Sequence, residues 1–412
     1  MGVVDVMVVG QFVPHELPFQ ALAWSPTSVL MVGGIGLLTG VQVLASRAVG
    51  ADAPHEAGGA LRRGLVVSLV AGGLAVAMAW LLGERMFTAF GISADLAIPA
   101  TRVAQVLTLS IPLHLTYVTA AFFLESIQKP LASTVAMWVA NALNLALNLL
   151  LVPRFGALGS AWCTVAARVC LVAILGVYVW RMAEAERYGV KRSATSPSYA
   201  ALLKVGVAAA VSNTAEAGAF SGMTMLAGRL GASAVSTYQI LLNLLSLVFM
   251  LSLGVSSATA VLTSAAVGRR DAREATRASF AGLGINLLLM LAAGAAVYGC
   301  AEPIARAYTA NLSLASLIAG SLWLAALVML PDGGQVVAAA GLRARGDNWF
   351  PTASHLLSYA LVMPAVAYWL AEARGHGVDG LMLAILAASL LSFGVLTARL
   401  WWLRRAGSSG LV

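Results

Sequence analysis

Four acidic residues lie in or beside long apolar stretches of the sequence: Asp5, Glu125, Glu216 and Asp332. A carboxylate at the centre of a membrane costs at least ~2.5–3.5 kcal/mol on insertion scales, so such residues commonly pair with another group or mark an ion pathway. Glu125 precedes Lys129 at the end of its apolar stretch, and we expect it to reach towards the membrane surface. The other three acids are therefore the candidates for proton or cation binding.

The residues around Glu216 and Asp332 predict how each acid is placed. Glu216 lies in SNTAEAGAF, a small and polar stretch typical of a helix that faces a cavity. Asp332 lies in LPDGGQVV, where Pro331 removes a helical hydrogen bond and the glycines weaken the next turn. This pattern predicts a broken helix with an acid at the break, a recurring ion site in transporters. The alternatives are a structural hydrogen bond for Glu216 and a plain kink at the lipid interface for Asp332.

Uncharged polar residues also recur at helical spacing within apolar stretches. One set shares a single helix face, and a second set is spaced by four residues. These residues are Asn141, Asn144 and Asn148 in the first set, and Gln239 and Asn243 in the second. We predict that they line a substrate cavity, with hydrogen bonding between helices as the equal alternative. His114 and His355 are expected to be packing residues, and Arg168 is expected to pair with a carbonyl or an acid.

The composition requires a membrane. Of the 412 residues, 60% are hydrophobic and 10% are charged, against about 25% charged in soluble domains. Apolar runs long enough to cross the ~30 Å hydrocarbon core recur along the whole chain. They predict an all-α integral membrane protein of about twelve spans: 1–13, 21–45, 64–83, 103–125, 131–151, 158–180, 203–227, 234–262, 279–299, 312–340, 352–371 and 378–400.

The first of these spans is too short, which indicates a truncated first helix. If the natural chain begins before Met1, Asp5 lies near the middle of that helix. If Met1 is the first residue, Asp5 is solvated at a frayed end. The start of the chain therefore decides how Asp5 is interpreted.

Positive charge predicts the orientation. Most Lys and Arg residues fall on one set of alternate connections, which is expected to be cytoplasmic and places the C-terminus inside. The net charge of +8 is spread over many connections, so it reflects topology and gives no reason to expect a nucleic acid partner.

Two halves of the chain repeat one design. Residues 46–65 and 264–283 share nine identities without a gap, beginning at Ser46 and Ser264. A second pair keeps the same order, because Pro130 precedes Gly156 at the spacing at which Pro351 precedes Gly377. Parallel repeats of this kind predict two pseudo-symmetric six-helix bundles. The predicted domains are an N-terminal lobe at 1–180, a cytoplasmic linker at 181–203 and a C-terminal lobe at 204–412.

Five segments in this order resemble the multidrug and toxic compound extrusion (MATE) family, in its NorM-like bacterial branch. They are MGVVDVMVVG, ASRAVGADAPHEAGGALRRG, YQILLNLLSLVFMLSLGVSSA, PDGGQVVAAAGLRARGD and GVDGL. The resemblance implies twelve helices in two lobes. It also implies that Asp5 matches an N-lobe acid tied to protonation, whereas Glu216 and Asp332 match C-lobe acids that bind cation and substrate.

Three departures from the family leave the coupling ion open, and one is that the first helix lacks its amino-terminal part. Asn148 stands where some relatives carry a second N-lobe Asp. Val328 replaces a Tyr one turn before Asp332. Asn141 and Asn144 match N-lobe polar positions of the family.

The resulting hypothesis is a secondary antiporter of the bacterial cytoplasmic membrane. It exports organic cations or drugs in exchange for Na⁺ or H⁺ by alternating access, with Na⁺ possible at Glu216 and Asp332. We expect a monomer without a cofactor. The alternatives are a lipid-linked saccharide flippase, for which a basic cleft is missing, and a membrane enzyme, for which no HExxH or GxSxG motif is present.

Overall fold

Helices form almost all of the chain in the computed structural model, which describes residues 1–89, 94–191, 198–309 and 311–405. The helices of the first half are α1 Gly2–Phe12, α2 Leu17–Gly50, α3 Ala57–Ala89, α4 Ala94–Thr108, α5 Ser110–Ser126 and α6 Leu131–Arg181. Those of the second half are α7 Tyr199–Arg229, α8 Ala232–Gly268, α9 Ala272–Gly299, α10 Ala301–Tyr308, α11 Leu312–Ala344, α12 Trp349–His355, α13 Met363–Ala367 and α14 Gly377–Arg405. Short 3₁₀ turns occur at Pro14–Glu16 and Pro54–Glu56, and π-helical turns at Leu356–Val362 and Tyr368–Ala373.

The predicted all-α membrane architecture is confirmed, since each predicted span falls on helical residues. By length and composition, nine helical segments within the described residues can cross a membrane. The helix α6 has 51 residues and contains two predicted spans joined by a kink. The first helix has 11 residues and is short, as expected.

The outer surfaces of the helices carry large apolar side chains. Leu81, Trp138, Met225 and Leu312 are all more than 70% exposed. Soluble proteins rarely expose such extended apolar surface, so these faces are suited to contact lipid.

Contacts divide the chain into two compact units, Met1–Ala210 and Val211–Val412. Leu38, Phe123 and Leu171 lie in the core of the first unit, and Tyr238, Leu322 and Tyr359 in that of the second. The boundaries predicted for the lobes and linker stay a prediction.

Backbone conformation supports the internal repeat. Asp52 and Arg270 are separated by the same spacing as Ser46 and Ser264, and each has φ 58 at the turn between two helices. Gly156 and Gly377 are separated by the same spacing as Pro130 and Pro351, with φ 58 and 56. A positive φ is uncommon outside glycine. Its recurrence at matched positions shows that the two halves share local geometry as well as sequence.

The segment after α6 is held against the start of α3. The Gly58 amide donates to Tyr188 O at 2.8 Å, and Arg62 Nη1 donates to Gly189 O at 2.6 Å. The Lys129 ammonium donates to Glu184 at 2.6 Å. That hydrogen bond lowers the pKa of the Glu184 carboxyl and raises the pKa of Lys129.

Candidate functional site: two buried carboxylate centres

The first centre surrounds Asp5 of α1, whose side chain is buried and only 1% exposed. Oδ1 of Asp5 accepts from Asn144 Nδ2 at 3.1 Å and from Asn148 Nδ2 at 2.9 Å. Oδ2 accepts from Thr164 Oγ1 at 2.6 Å. The interpretation of Asp5 as a solvated residue at a frayed end is therefore wrong.

A kink in α6 brings these donors together. Asn144 and Asn148 are four residues apart in the first half of the helix and therefore share a face, whereas Thr164 lies in the second half. The two halves meet at Gly156, whose φ 58 and ψ −145 are not helical. The kink lets one continuous helix approach the same carboxylate twice.

A second acid from the start of the chain supports the kink. The Glu16 carboxylate accepts from the Ala157 amide at 2.7 Å, satisfying a free N–H group at the start of the second half of α6. Carboxylates at such positions also interact favourably with the helix dipole. The segment 1–16 therefore contacts α6 through both Asp5 and Glu16.

Two amide oxygens beside Asp5 have no hydrogen-bond partner among the described residues: Oδ1 of Asn144 and Oδ1 of Asn148, both buried. Buried polar atoms are rarely left unpaired. Together with the Asp5 carboxylate and the Thr164 hydroxyl they provide oxygen ligands, the type that hard cations prefer. These residue types therefore suit a small cation, while in this structure the amide nitrogens are the atoms that face Asp5.

Asn141 and Arg168 lie near this centre without bonding to Asp5. Asn141 Nδ2 donates to Met137 O of its own helix at 2.9 Å. Arg168 Nη1 donates to Ser110 O at 3.2 Å and to Ser110 Oγ at 2.7 Å. The predicted pairing of Arg168 with a carbonyl is confirmed.

The second centre surrounds Asp332 of α11, which is 8% exposed. Its Oδ1 accepts from Tyr359 OH and from Ser389 Oγ, each at 3.1 Å. Those two hydroxyls are 3.2 Å apart. Sequence analysis identified neither residue, because both come from other segments of the chain.

The predicted break in the helix at Asp332 is wrong. The helix α11 runs without interruption from Leu312 to Ala344, through Pro331. A Cβ at Gly333 would meet Ser252 Oγ, and one at Gly334 would meet the Phe393 ring. The glycines therefore permit close packing of neighbouring helices instead of unwinding the turn.

Glu216 of α7 lies beside this centre. Its Oε1 accepts from Gln335 Nε2 at 3.3 Å, and Gln335 follows Asp332 by three residues on the same face of α11. Its Oε2 lies 3.7 Å from His355 Nδ1, which is 2.6 Å from Ser212 Oγ. The ring of His355 packs edge-on against Tyr359, with centroids 5.7 Å apart. Glu216 and Asp332 are thus joined through a short chain of contacts.

A cavity of about 500 Å³ lies between α7 and the segment 359–368, and one of its lining residues is Tyr359, whose hydroxyl donates to Asp332. Its lining is mostly small, apolar or aromatic: Ala215, Gly218, Ala219, Gly222, Met223, Leu226, Tyr359, Ala360, Pro364 and Tyr368. The volume falls within the usual range of small-molecule sites.

The residues Gln239 and Asn243 lie elsewhere on the second unit. Gln239 Nε2 donates to Thr224 Oγ1 at 3.3 Å, and Asn243 Oδ1 accepts from Tyr308 OH at 2.9 Å. Neither lines the cavity described above. Their predicted role in substrate binding stays a prediction.

Comparison with known proteins agrees with this architecture. The MatE family model matches residues 1–150 and 208–369. A probable multidrug resistance protein NorM of Caulobacter vibrioides is 41% identical over 407 residues, covering 97% of this chain and 86% of the relative. The corresponding protein of Deinococcus radiodurans is 26% identical over 423 residues, covering 99% and 92%.

Solved structures show the same fold. The eukaryotic MATE transporter AtDTX14 is 18% identical with a TM-score of 0.86, over 100% of this chain and 94% of that one. A MATE structure in the bent conformation is 19% identical with a TM-score of 0.87, over 98% and 92%. The family match spans most of the sequence, and the chain belongs to the MatE family, the multidrug and toxic compound extrusion family that its motifs resemble.

Proposed function

We propose that this chain is a secondary antiporter that exports lipophilic organic cations across the bacterial cytoplasmic membrane in exchange for Na⁺ or H⁺. The observation that carries the proposal is the pair of buried carboxylates, Asp5 and Asp332, that accept hydrogen bonds only from neutral side chains among the described residues. A buried charge without a directly hydrogen-bonded partner of opposite charge is unfavourable. Binding a cation or a proton relieves that cost. The relatives named as multidrug resistance proteins support export of drugs.

The two centres have different roles in this proposal. The Asp5 centre combines a buried carboxylate with amide and hydroxyl groups, which suits a proton or Na⁺. Asp332 accepts a hydrogen bond from Tyr359, which lines a cavity large enough for a drug-sized molecule, so Asp332 and Glu216 attract the organic cation. The second proposal for coupling places Na⁺ at Glu216 and Asp332.

Coupled transport requires the coupling ion and the organic cation to favour different conformations of the protein. A ligand that binds both conformations of a protein with equal affinity does not change the equilibrium between them. In the proposed cycle, the coupling cation binds in the outward-facing state and the organic cation in the inward-facing state, so that the two units alternate access to the two sides of the membrane. The membrane potential contributes about 2.3 kcal/mol per charge per 100 mV.

The test is transport by purified protein in liposomes, with rhodamine 6G as the organic cation. A Na⁺ gradient at constant pH and a pH gradient without Na⁺ are imposed separately, and one of them is expected to drive transport. Asp5→Asn should abolish the response to the gradient while rhodamine 6G still binds. Asp332→Asn and Glu216→Gln should each weaken binding at least tenfold.

Asp379→Asn is the matched control. Asp379 accepts from Ser321 and lies in the first turn of α14, outside both centres, so this variant should transport normally. Gradient-driven transport that survives in Asp5→Asn, Asp332→Asn and Glu216→Gln alike would show that the proposed carboxylates are not the sites of coupling.

A further inference from the structure

A groove runs between α9 and α14 in the second unit. Both helices pack closely against α11, yet they make little contact with each other, and the structure describes both in full. Gly341 of α11 lies at the base of this groove, since a Cβ added there would meet Ser279 Oγ of α9 at 3.1 Å and Leu400 of α14 at 3.7 Å. The helix α11 therefore forms the floor of the groove, and α9 and α14 form its two walls.

Arginines from both walls meet at one end of the groove. The guanidinium group of Arg404, near the end of α14, lies over the ring of Phe280 in α9, 5.9 Å from its centroid. Arg273, Arg277 and Phe280 follow one another at spacings of four and three residues, so they share one face of α9. Arg404 therefore lies on the same side of α9 as two exposed arginines.

Two further arginines reach the same end. Arg345 follows α11 directly, and its Nη2 donates to Thr276 Oγ1 near the start of α9 at 3.0 Å. Arg405 follows Arg404, and its guanidinium group lies over the ring of Trp401, 3.3 Å from the centroid. The helices α9 and α14 and the end of α11 thus contribute five arginines, which we call the arginine cluster: Arg273, Arg277, Arg345, Arg404 and Arg405.

The arginine cluster carries positive charge that the protein leaves largely unpaired. Among the described residues, none of its members forms an ion pair with a carboxylate. The nearby acids are Asp271, Glu274 and Asp347, and Asp347 already pairs with Arg399 at 2.9 Å. The Nε atom of Arg345 is buried and has no hydrogen-bond partner within the same part of the chain. Like charges held close together repel one another, so an anion bound here would be stabilised.

The walls beyond the arginine cluster are apolar and open. Gly284 of α9 and Gly394 of α14 are exposed, and a Cβ added at either position would meet no atom within 4 Å. Each lies seven residues along its helix from a residue of the charged end, Arg277 or Trp401, which is ~10 Å at 1.5 Å per residue. Leu291 continues the wall formed by α9 and is 61% exposed. The groove thus combines concentrated positive charge at one end with apolar walls beyond it.

We propose that this groove binds an anionic phospholipid, with its phosphate among the arginine cluster and an acyl chain along Gly284 and Gly394. Arginine binds phosphate through paired N–H groups, and basic sites between transmembrane helices near a membrane surface recognise anionic headgroups. A lipid fits better than soluble phosphate, because the walls belong to helical segments long and apolar enough to cross a membrane. Positive charge that only set the topology would not require arginines from three helices to converge on one groove. The inference is independent of the transport cycle proposed above.

The experiment measures lipid binding to the purified protein by native mass spectrometry. Dioleoyl phosphatidylglycerol is compared with dioleoyl phosphatidylcholine, which has the same acyl chains and no net charge. The wild type should bind phosphatidylglycerol roughly tenfold more tightly than phosphatidylcholine. Arg404→Gln should weaken phosphatidylglycerol binding roughly fivefold and leave phosphatidylcholine binding unchanged.

Two control variants accompany the substitutions in the groove. Arg374 is also exposed and lies over a tryptophan ring, 4.9 Å from the centroid of Trp369, but it belongs to neither wall, so Arg374→Gln should bind phosphatidylglycerol like the wild type. Gly284→Leu fills the groove and should weaken phosphatidylglycerol binding. Gly299→Leu changes an equally open position at the far end of the same helix and should not. Leucine is favourable in helices, so both leucine variants should fold.

Competition by glycerol 1-phosphate distinguishes a lipid site from a site for soluble phosphate. This compound carries the charged group without acyl chains, and an excess of it should not displace phosphatidylglycerol. Displacement would overturn the inference, as would equal affinity of the wild type for phosphatidylglycerol and phosphatidylcholine. Phosphatidylglycerol binding as tight as that of the wild type in Arg404→Gln or in Gly284→Leu would overturn it too.

Discussion

At the scale of single residues, both centres depend on neutral donors around a buried acid. Asp5 is held by two amides and a hydroxyl, and Asp332 by two hydroxyls. Neutral donors stabilise an ionised carboxylate without cancelling its charge. An Arg or Lys in the same place would form a permanent ion pair, and an arriving cation would have to displace it.

Thr164 provides the sharpest test of the Asp5 centre. Thr164→Val removes the 2.6 Å hydrogen bond to Asp5 Oδ2 with little change in shape. Loss of one hydrogen bond to a charged group costs about 1.5–3 kcal/mol, so the two coupling ions should respond in opposite directions by roughly 10- to 100-fold. The proton affinity of Asp5 should rise, because the ionised carboxylate loses a stabilising donor, whereas affinity for Na⁺ should fall if the hydroxyl oxygen is one of its ligands. The measurement is the concentration of Na⁺ or H⁺ that gives half-maximal rhodamine 6G transport.

Thr101→Val is the matched control for that substitution. Thr101 is also a buried threonine, but its hydroxyl donates to Ala97 O of its own helix at 2.7 Å. This variant should keep the wild-type ion dependence. If Thr164→Val retained it as well, the Thr164 hydroxyl would have no part in ion binding.

The sequence predicted those residues of the two centres that lie close together in the chain, and it did not predict those that lie far apart. Asn144 and Asn148 stand four apart on one helix, and an acid in an apolar run is conspicuous, so pattern alone identified them. Thr164 could not be identified, because its approach to Asp5 depends on the bend at Gly156. The acids Asp332 and Glu216 are contacted from other segments of the chain, by Tyr359, Ser389 and His355. These contacts depend on how the helices pack, and the spacing of residues along the sequence does not predict them.

At the scale of elements, bends and close contacts of helices position the chemistry. The presence of Pro331 and two glycines predicted a break at Asp332, yet the neighbouring helices use those glycines for close approach and α11 stays continuous. The true interruption lies in α6 at Gly156. Proline and glycine therefore mark positions where helices can bend or approach each other, and tertiary packing decides between the two.

Gly156→Ala tests the importance of the bend in α6. The conformation at φ 58 and ψ −145 excludes side chains, and a Cβ there would collide with the Glu16 carboxylate. We expect a loss of about 1–3 kcal/mol in stability. Gly176→Ala in the same helix meets no atom within 4 Å and should be neutral or stabilising. Apparent melting temperatures in detergent compare the two, and equal values would show that the bend is not required.

At the scale of the whole molecule, charge and aromatic residues predict the orientation in the membrane. The end of α14 carries Arg399 and Arg405, whose guanidinium groups lie over the rings of Trp402 and Trp401. Tryptophan is enriched at membrane interfaces, and basic residues on the cytoplasmic side. The end of α14 is therefore expected at the cytoplasmic surface.

The helix α9 is expected to lead from the same surface to the opposite one. It follows Arg269 and Arg270 and has 28 residues, which is ~42 Å of helix and enough to cross the ~30 Å core. Cys300 follows it directly and is exposed, whereas Cys163 is buried and Cys170 partly buried. A thiol reagent that cannot cross membranes should therefore label Cys300 in intact cells, and Cys300→Ser should remove most of that labelling. If the reagent labelled Cys300 only in everted vesicles, the predicted orientation of the protein in the membrane would be wrong. The predicted direction of export would then be wrong as well.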